Sequence, residues 1–211
     1  TLVIEPWGAH SLRVRAICQP DLIDHDWALL SPAACEVKIQ REHESLSLRN
    51  GNITATLNIR GQLAFYNQHG ELLLEEFWRQ RSTVGIGASE KSQDKYISAL
   101  KLDARTFRPI PGGKYQLSVR FEACAAEKIY GMGQYQQDCL DLKGCTLELA
   151  QRNSQASVPF MVSNLGYGLL WHNPAIGEVT FGKNGTRWQA EVTDQMDYWI
   201  TAGDTPAEIV R

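Results

Sequence analysis

Residues 157–201, SVPFMVSNLGYGLLWHNPAIGEVTFGKNGTRWQAEVTDQMDYWIT, decide the fold. Five short runs stand out: SVPFMVS (157–163), YGLLWH (167–172), EVTFG (178–182), RWQAEV (187–192) and MDYWIT (196–201). They are rich in β-branched and aromatic side chains, which suit a pleated, half-buried surface. Asn, Gly and Pro separate them, supplying turn chemistry rather than helix. Strands this short and this closely spaced imply an all-β, two-sheet antiparallel β-sandwich, and not an α/β fold.

The same pattern extends towards the N-terminus. Thr1-Leu2-Val3-Ile4 enters a strand at once, and SLRVRAI (11–17) alternates apolar with basic residues, the period of a half-buried strand. Asp21 to Ala34 is an irregular, acidic connection bounded by prolines. EVKIQ (36–40), SLSLR (45–49) and NITATLNI (52–59) are further strands, the last two joined through Asn50-Gly51, a strong hairpin signal. QLAFYN (62–67) and ELLLEEFW (71–78) flank Gln68-His69-Gly70 as another hairpin. Residues 81–95 read as a loop, YISALKL (96–102) as a strand, Pro109 to Gly113 as a turn, and YQLSVRFEA (115–123) as a strictly alternating strand. Thr205-Pro206-Ala207-Glu208 is a helix start, with Thr as N-cap, Pro in the first turn and Glu three residues after the cap. The chain stops at Arg211, inside that helix, so a fragment of a longer polypeptide is expected.

Composition narrows the function classes. The chain has 211 residues, 43% of them hydrophobic, and a net charge of −3, which gives no footprint for nucleic acid or an anionic membrane. No apolar run approaches the ~20 residues of a membrane span. Five cysteines, an odd number at irregular spacing, argue against a disulfide framework. Cys139 and Cys145 are close enough in sequence to pair, but free thiols are the expectation, and with them an intracellular, cytoplasmic protein. The sequons at Asn52 and Asn184 would matter only in a secreted eukaryotic protein. No metal-ligand spacing occurs, and neither a metal nor a cofactor is expected.

One segment departs from the alternating pattern. After Gly131 and Gly133 the chain runs through amide, aromatic and acidic residues, and it closes on Gln151-Arg152-Asn153 before the strands resume. A long polar excursion carried by a rigid scaffold is where a ligand is expected. Tyr135, Gln136, Gln137, Asp138, Gln151, Arg152 and Asn153 supply flat faces and hydrogen-bonding groups for such a ligand. Asp138 and Asp141 superficially resemble a catalytic pair but read as solvated loop acids. The two glycines read as backbone conformation at a strand end, not as a phosphate loop, because no Lys-Ser/Thr follows. His172 reads as a hydrogen-bonded strand-end residue, and Trp7, Trp27, Trp78, Trp188 and Trp199 as core or interface aromatics.

These residues resemble glycoside hydrolase family 31. Glu5-Pro6-Trp7-Gly8 followed by Leu12-Arg13-Val14-Arg15 is similar to the opening of that family's N-terminal domain. Tyr130-Gly131-Met132-Gly133-Gln134 is similar to its Tyr/Phe-Gly-Leu-Gly-Glu/Gln signature. Val158-Pro159-Phe160, Ser163 and Gly166-Tyr167-Gly168-Leu169-Leu170-Trp171 resemble its next strand pair. Tyr198-Trp199-Ile200, Gly203, Thr205-Pro206 and Ile209 resemble its exit into a catalytic barrel. Gln134 and Leu149-Ala150-Gln151-x-Asn153 point to the α-xylosidase and related α-glucosidase branches.

The resemblance implies a galactose mutarotase-like supersandwich over residues 1–203, with residues 204–211 leading into a (β/α)8 barrel beyond this chain. It implies a retaining α-glycosidase whose two catalytic carboxylates lie in that barrel, so no catalytic residue is expected here. The sandwich would lend a substrate-pocket wall through Gln134, Tyr135, Gln136, Gln151, Arg152 and Asn153. Asn153 departs from the Asp found in many members, which leaves the sugar preference open. The implied partners are an α-linked oligosaccharide or α-glycoside and the chain's own barrel, with self-association into a homo-oligomer left open. Two other readings stand: an independent carbohydrate-binding module, and an aldose epimerase, which would need a His and a carboxylate converging in a sheet cleft.

Overall fold

The computed structural model describes residues 1–32, 35–77 and 102–211. The loop expected at 81–95, almost all of the strand expected at 96–102, and Trp78 lie outside those residues.

Among the described residues, sixteen strands form three antiparallel sheets. The six-stranded sheet contains β1 (Leu2–Pro6), β2 (Ser11–Ile17), β10 (Ile129–Gln134), β12 (Ala156–Ser163), β13 (Tyr167–Trp171) and β16 (Gln195–Ala202), in the order β1-β2-β16-β13-β12-β10. A five-stranded sheet contains β8 (Arg105–Pro109), β9 (Tyr115–Phe121), β11 (Thr146–Leu149), β14 (Gly177–Phe181) and β15 (Thr186–Thr193), in the order β11-β14-β15-β9-β8. The other is a meander of β3 (Lys38–Arg41), β4 (Ser45–Asn50), β5 (Ile53–Asn58), β6 (Leu63–Tyr66) and β7 (Leu72–Glu75). The two five-stranded sheets are stitched together: Glu76 bridges Phe121, the Phe77 N–H donates to Arg120 O, and the Glu122 N–H donates to Glu75 O, the last two at 2.9 Å. They act as one layer against the six-stranded sheet, so the expected sandwich is present with its second layer divided.

Period-two alternation builds the interface between layers. On β9, Leu117, Val119 and Phe121 turn inward, and Trp188 and Ala190 do so on the paired β15. Trp171 of β13 stacks across the sandwich on Trp188 at 5.7 Å between ring centroids. Tyr198 of β16 receives Phe65 edge-on from the meander and Phe121 edge-on from β9, at 6.4 and 5.8 Å. Each fully buried side chain of this size contributes about 1.5–3 kcal/mol. The Asn50-Gly51 signal is realised as the β4–β5 hairpin, and the buried Asn50 amide donates to Gly8 O and Ser11 O at 2.7 and 2.8 Å.

Three expectations needed adjustment. SLRVRAI is buried on both faces, because the segment after β2 straps across its basic face. Arg15 pairs there with Glu5 and Asp24, and Arg13 with Asp26 and Asp197. β8 and β11 were not anticipated; each is four or five residues long and lies inside turn-like or polar sequence. The C-terminal helix α1 (Pro206–Ile209) starts as expected, with Thr205 Oγ1 accepting from the Glu208 N–H at 3.3 Å and Ile209 buried, but it closes at a C-cap on Val210 instead of running on through Arg211.

Candidate functional site

The polar excursion begins at a strained stretch of β10. Gly131 and Gly133 have φ of 97° and 91°, and Met132 between them has φ of 70° with its side chain in the core. A Cβ on Gly131 would stand 2.6 Å from Phe160 O, and one on Gly133 only 2.1 Å from Ala156 O. Glycine is therefore required for β10 to lie against β12 through the register shift between these positions. The reading of this motif as backbone conformation agrees with that geometry.

Beyond Gln134 the chain does not wander freely. Asp141 Oδ1 accepts from the Ile129 and Lys143 N–H groups, both at 3.0 Å, which holds its carboxyl below the usual range. The Leu142 N–H donates to Ile129 O at 2.8 Å. β11 then alternates Thr146 and Glu148 outward with Leu147 and Leu149 inward.

Of the residues singled out in the sequence, Tyr135 and Gln151 meet at Ser157. Tyr135 Oη lies 2.8 Å from both Glu148 O and Ser157 Oγ, and burial pushes its phenol pKa up. The Gln151 amide clamps the Ser157 backbone at both ends, donating to its carbonyl at 2.7 Å and accepting from its N–H at 3.1 Å. Arg152 forms a two-pronged ion pair with Glu148 at 2.5 and 3.1 Å, which depresses the Glu148 carboxyl. Gln134 ends β10 opposite Ala156, with its side chain exposed. Gln136, Gln137, Asp138 and Asn153 are exposed. Ser157 and Glu148, the hubs of this arrangement, carried no distinguishing signal in the sequence.

Beside this excursion lies a mostly apolar cleft of about 380 Å³, lined by Leu149, Gln151, Val158, Pro159, Trp171 and Ile176 among others. A second cleft of about 250 Å³ adjoins it across His172 and Asn173. Trp27 borders both; it is 60% exposed and contacts the His25 ring at 4.0 Å, so it is not a core residue, unlike Trp188.

The second cleft also holds a His–carboxylate pair that spacing in the sequence did not reveal. His172 Nδ1 is 3.1 Å from Asp197 Oδ2, and both residues are buried. The pair is already committed. His172 Nε2 accepts from the Ala28 N–H at 3.0 Å, which leaves the proton on Nδ1, and Asp197 accepts from the Arg13 guanidinium at 2.7, 3.0 and 3.2 Å. No ring nitrogen or carboxylate oxygen of this network is free to act as a base, so it ties the 21–30 strap to the sheet and gives the epimerase reading no support. Among the described residues no group of three or more His, Cys, Asp or Glu could hold a metal ion.

Comparison with known proteins gives a consistent answer. Residues 1–179 match the model of the glycosyl hydrolase 31 N-terminal galactose mutarotase-like domain. The whole chain is 70% identical, over 210 residues, to an uncharacterized family 31 glucosidase, ORF2, of Pseudescherichia vulneris, and spans 40% of that protein. It is 28% identical to α-xylosidase A of Aspergillus niger, over 96% of this chain and 28% of that one. Among solved structures, a family 31 α-xylosidase from a soil metagenome, crystallised with xylose, superposes with a TM-score of 0.92 at 59% identity, over 99% of this chain and 31% of that one. This chain thus spans well under half the length of these relatives. By sequence match and by architecture, it belongs to the glycosyl hydrolase 31 N-terminal galactose mutarotase-like domain family.

Proposed function

We propose that this chain is the non-catalytic sandwich of a retaining α-glycosidase acting on α-xylosides or α-glucosides, with residues 1–203 as the domain and 204–211 as the lead into a barrel. The observation that carries this reading is the 59% identity to an α-xylosidase across 99% of the chain, which is 31% of that enzyme. The state of the acids here supports it. A retaining enzyme needs two carboxylates ~5–5.5 Å apart on either side of a sugar, one of them with a raised pKa. Glu76 has a raised pKa, but it is sealed in the core. Asp141, Glu148 and Asp197 are each bound to backbone amides or guanidinium groups. No disulfide is present among the described residues, which suits a reducing compartment, and we propose a cytoplasmic location.

In this reading the Gln134–Asn153 excursion walls the substrate pocket. Tyr135 and Gln151 hold its shape, and Gln134, Gln136, Arg152 and Asn153 face the sugar. One neutral hydrogen bond to a hydroxyl contributes about 1 kcal/mol, or roughly fivefold in kcat/KM. In the full-length enzyme, Gln136→Ala and Asn153→Ala are expected to lower kcat/KM for an aryl α-xyloside by about that factor, with an unchanged melting temperature. Unaltered kinetics in both variants and in Arg152→Ala would take the excursion out of the pocket. An independent carbohydrate-binding module is the second reading, favoured by the exposed Trp27. Calorimetric titration of the isolated chain with xylose and with α-linked oligosaccharides separates the two readings.

A further inference from the structure

Three of the five cysteines lie apart, but two stand together on the excursion. Cys139 Sγ and Cys145 Sγ are 3.6 Å apart, close enough to react and not bonded. Cys139 is exposed, whereas Cys145 is half-buried and packs on the hydrophobic core. The segment carrying Cys145 is fixed: its N–H donates to Leu142 O, its carbonyl accepts from the Phe181 N–H, both at 2.9 Å, and Asp141 caps the turn. The thiols are held together by folding, not by their nearness in sequence alone. Cys18 and Cys124 are exposed too, but have no second sulfur beside them.

We propose that Cys139 and Cys145 form a modification site, a dithiol that hydroperoxides or small disulfides convert into an intramolecular disulfide. The exposed Cys139 is the attacking thiol, because burial and the adjoining sulfur push the Cys145 thiol pKa up. The Cys139 thiolate attacks a hydroperoxide oxygen. An S–O bond forms, the O–O bond breaks, and an alcohol or water leaves with a proton. The Cys145 sulfur then attacks Cys139, the S–S bond forms, and the sulfenic oxygen departs as water. The protein loses two protons and two electrons, and hydrogen peroxide is reduced to two waters. The product closes the 140–144 turn and ties Cys139 to the foot of β11. This proposal does not depend on the sugar reading.

Peptide mapping of the full-length protein tests it. The protein is treated with hydrogen peroxide or oxidised glutathione, alkylated, and digested with trypsin without reductant. Cleavage after Lys128, Lys143 and Arg152 places the two cysteines on separate peptides, 129–143 and 144–152. The expected result is one joined species that dithiothreitol splits, formed at doses that leave Cys18 and Cys124 alkylatable. In Cys145→Ser, Cys139 is expected to persist as a sulfenic acid or a glutathione adduct. A wild-type protein that accumulates stable adducts or sulfinic acid on Cys139 with no joined peptide overturns the proposal. So does oxidation of Cys18 or Cys124 at lower doses.

Discussion

Glu76 is wholly buried where the three sheets meet. Its Oε2 accepts from the Leu63 N–H at 3.0 Å, and its Oε1 lies 3.4 Å from Arg105 Nε. Burial outweighs both and pushes the carboxyl from 4.5 up to about 7. The folded chain keeps a proton that the unfolded chain releases above pH 4.5, so stability is full below that pH and is lost as pH rises through 7. The loss is about 3 kcal/mol, and Glu76→Gln is expected to abolish it, as read from urea midpoints by tryptophan fluorescence between pH 4 and pH 8. A second buried charge gives a contrasting case. Asp197 is bonded to a fully buried Arg13, so Asp197→Asn leaves that guanidinium with the part-exposed Asp26 as its carboxylate partner and is expected to cost about 1.5–3 kcal/mol. Lys114→Ala removes an exposed partner of Asp194 and is expected to cost less than about 1 kcal/mol in the same assay.

The β10–β12 pair depends on Gly133, for steric as well as conformational reasons. Gly133→Ala adds a clash with Ala156 O to the strain of a positive φ and is expected to cost more than about 3 kcal/mol. Gly112→Ala, at φ of 95° with nothing within 4 Å, carries the strain alone and is expected to cost about 1–3 kcal/mol. The difference between the two melting curves isolates the packing contribution. The same contrast explains what could be read from the sequence. Strands such as β9 and β15 announce themselves, because one buried face forces alternation on every second residue. Gly131-Met132-Gly133 was legible as backbone geometry, because only glycine tolerates these dihedrals cheaply. β11 was hidden, since four residues give only two periods and its flanks are polar. The roles of Tyr135 and Gln151 were hidden too, because both are fixed by Ser157, whose position opposite them arises only on folding. The His172–Asp197 pair was invisible for a similar reason: a strap 144 residues away completes it.

At the scale of the whole molecule, Glu76, Asp141, Glu148 and Asp197 are each held by contacts within the sandwich. If the proposed function holds, the isolated 211-residue chain is expected to show no turnover of aryl α-xylosides or α-glucosides above background, by release of chromophore, and the full-length protein is expected to turn them over. The topology has a further effect on how this protein is made. β2 lies between β1 and β16, and β16 pairs residue by residue from Gln195 with Ile17 to Thr201 with Ser11. On a translating ribosome, the β1–β2 hairpin must wait for β16 to emerge before its inner edge finds a neighbour. Until then the nascent chain presents an unpaired β2 edge carrying Leu12, Val14 and Ala16. Chaperone demand during synthesis should therefore fall sharply once Ala202 has left the exit tunnel.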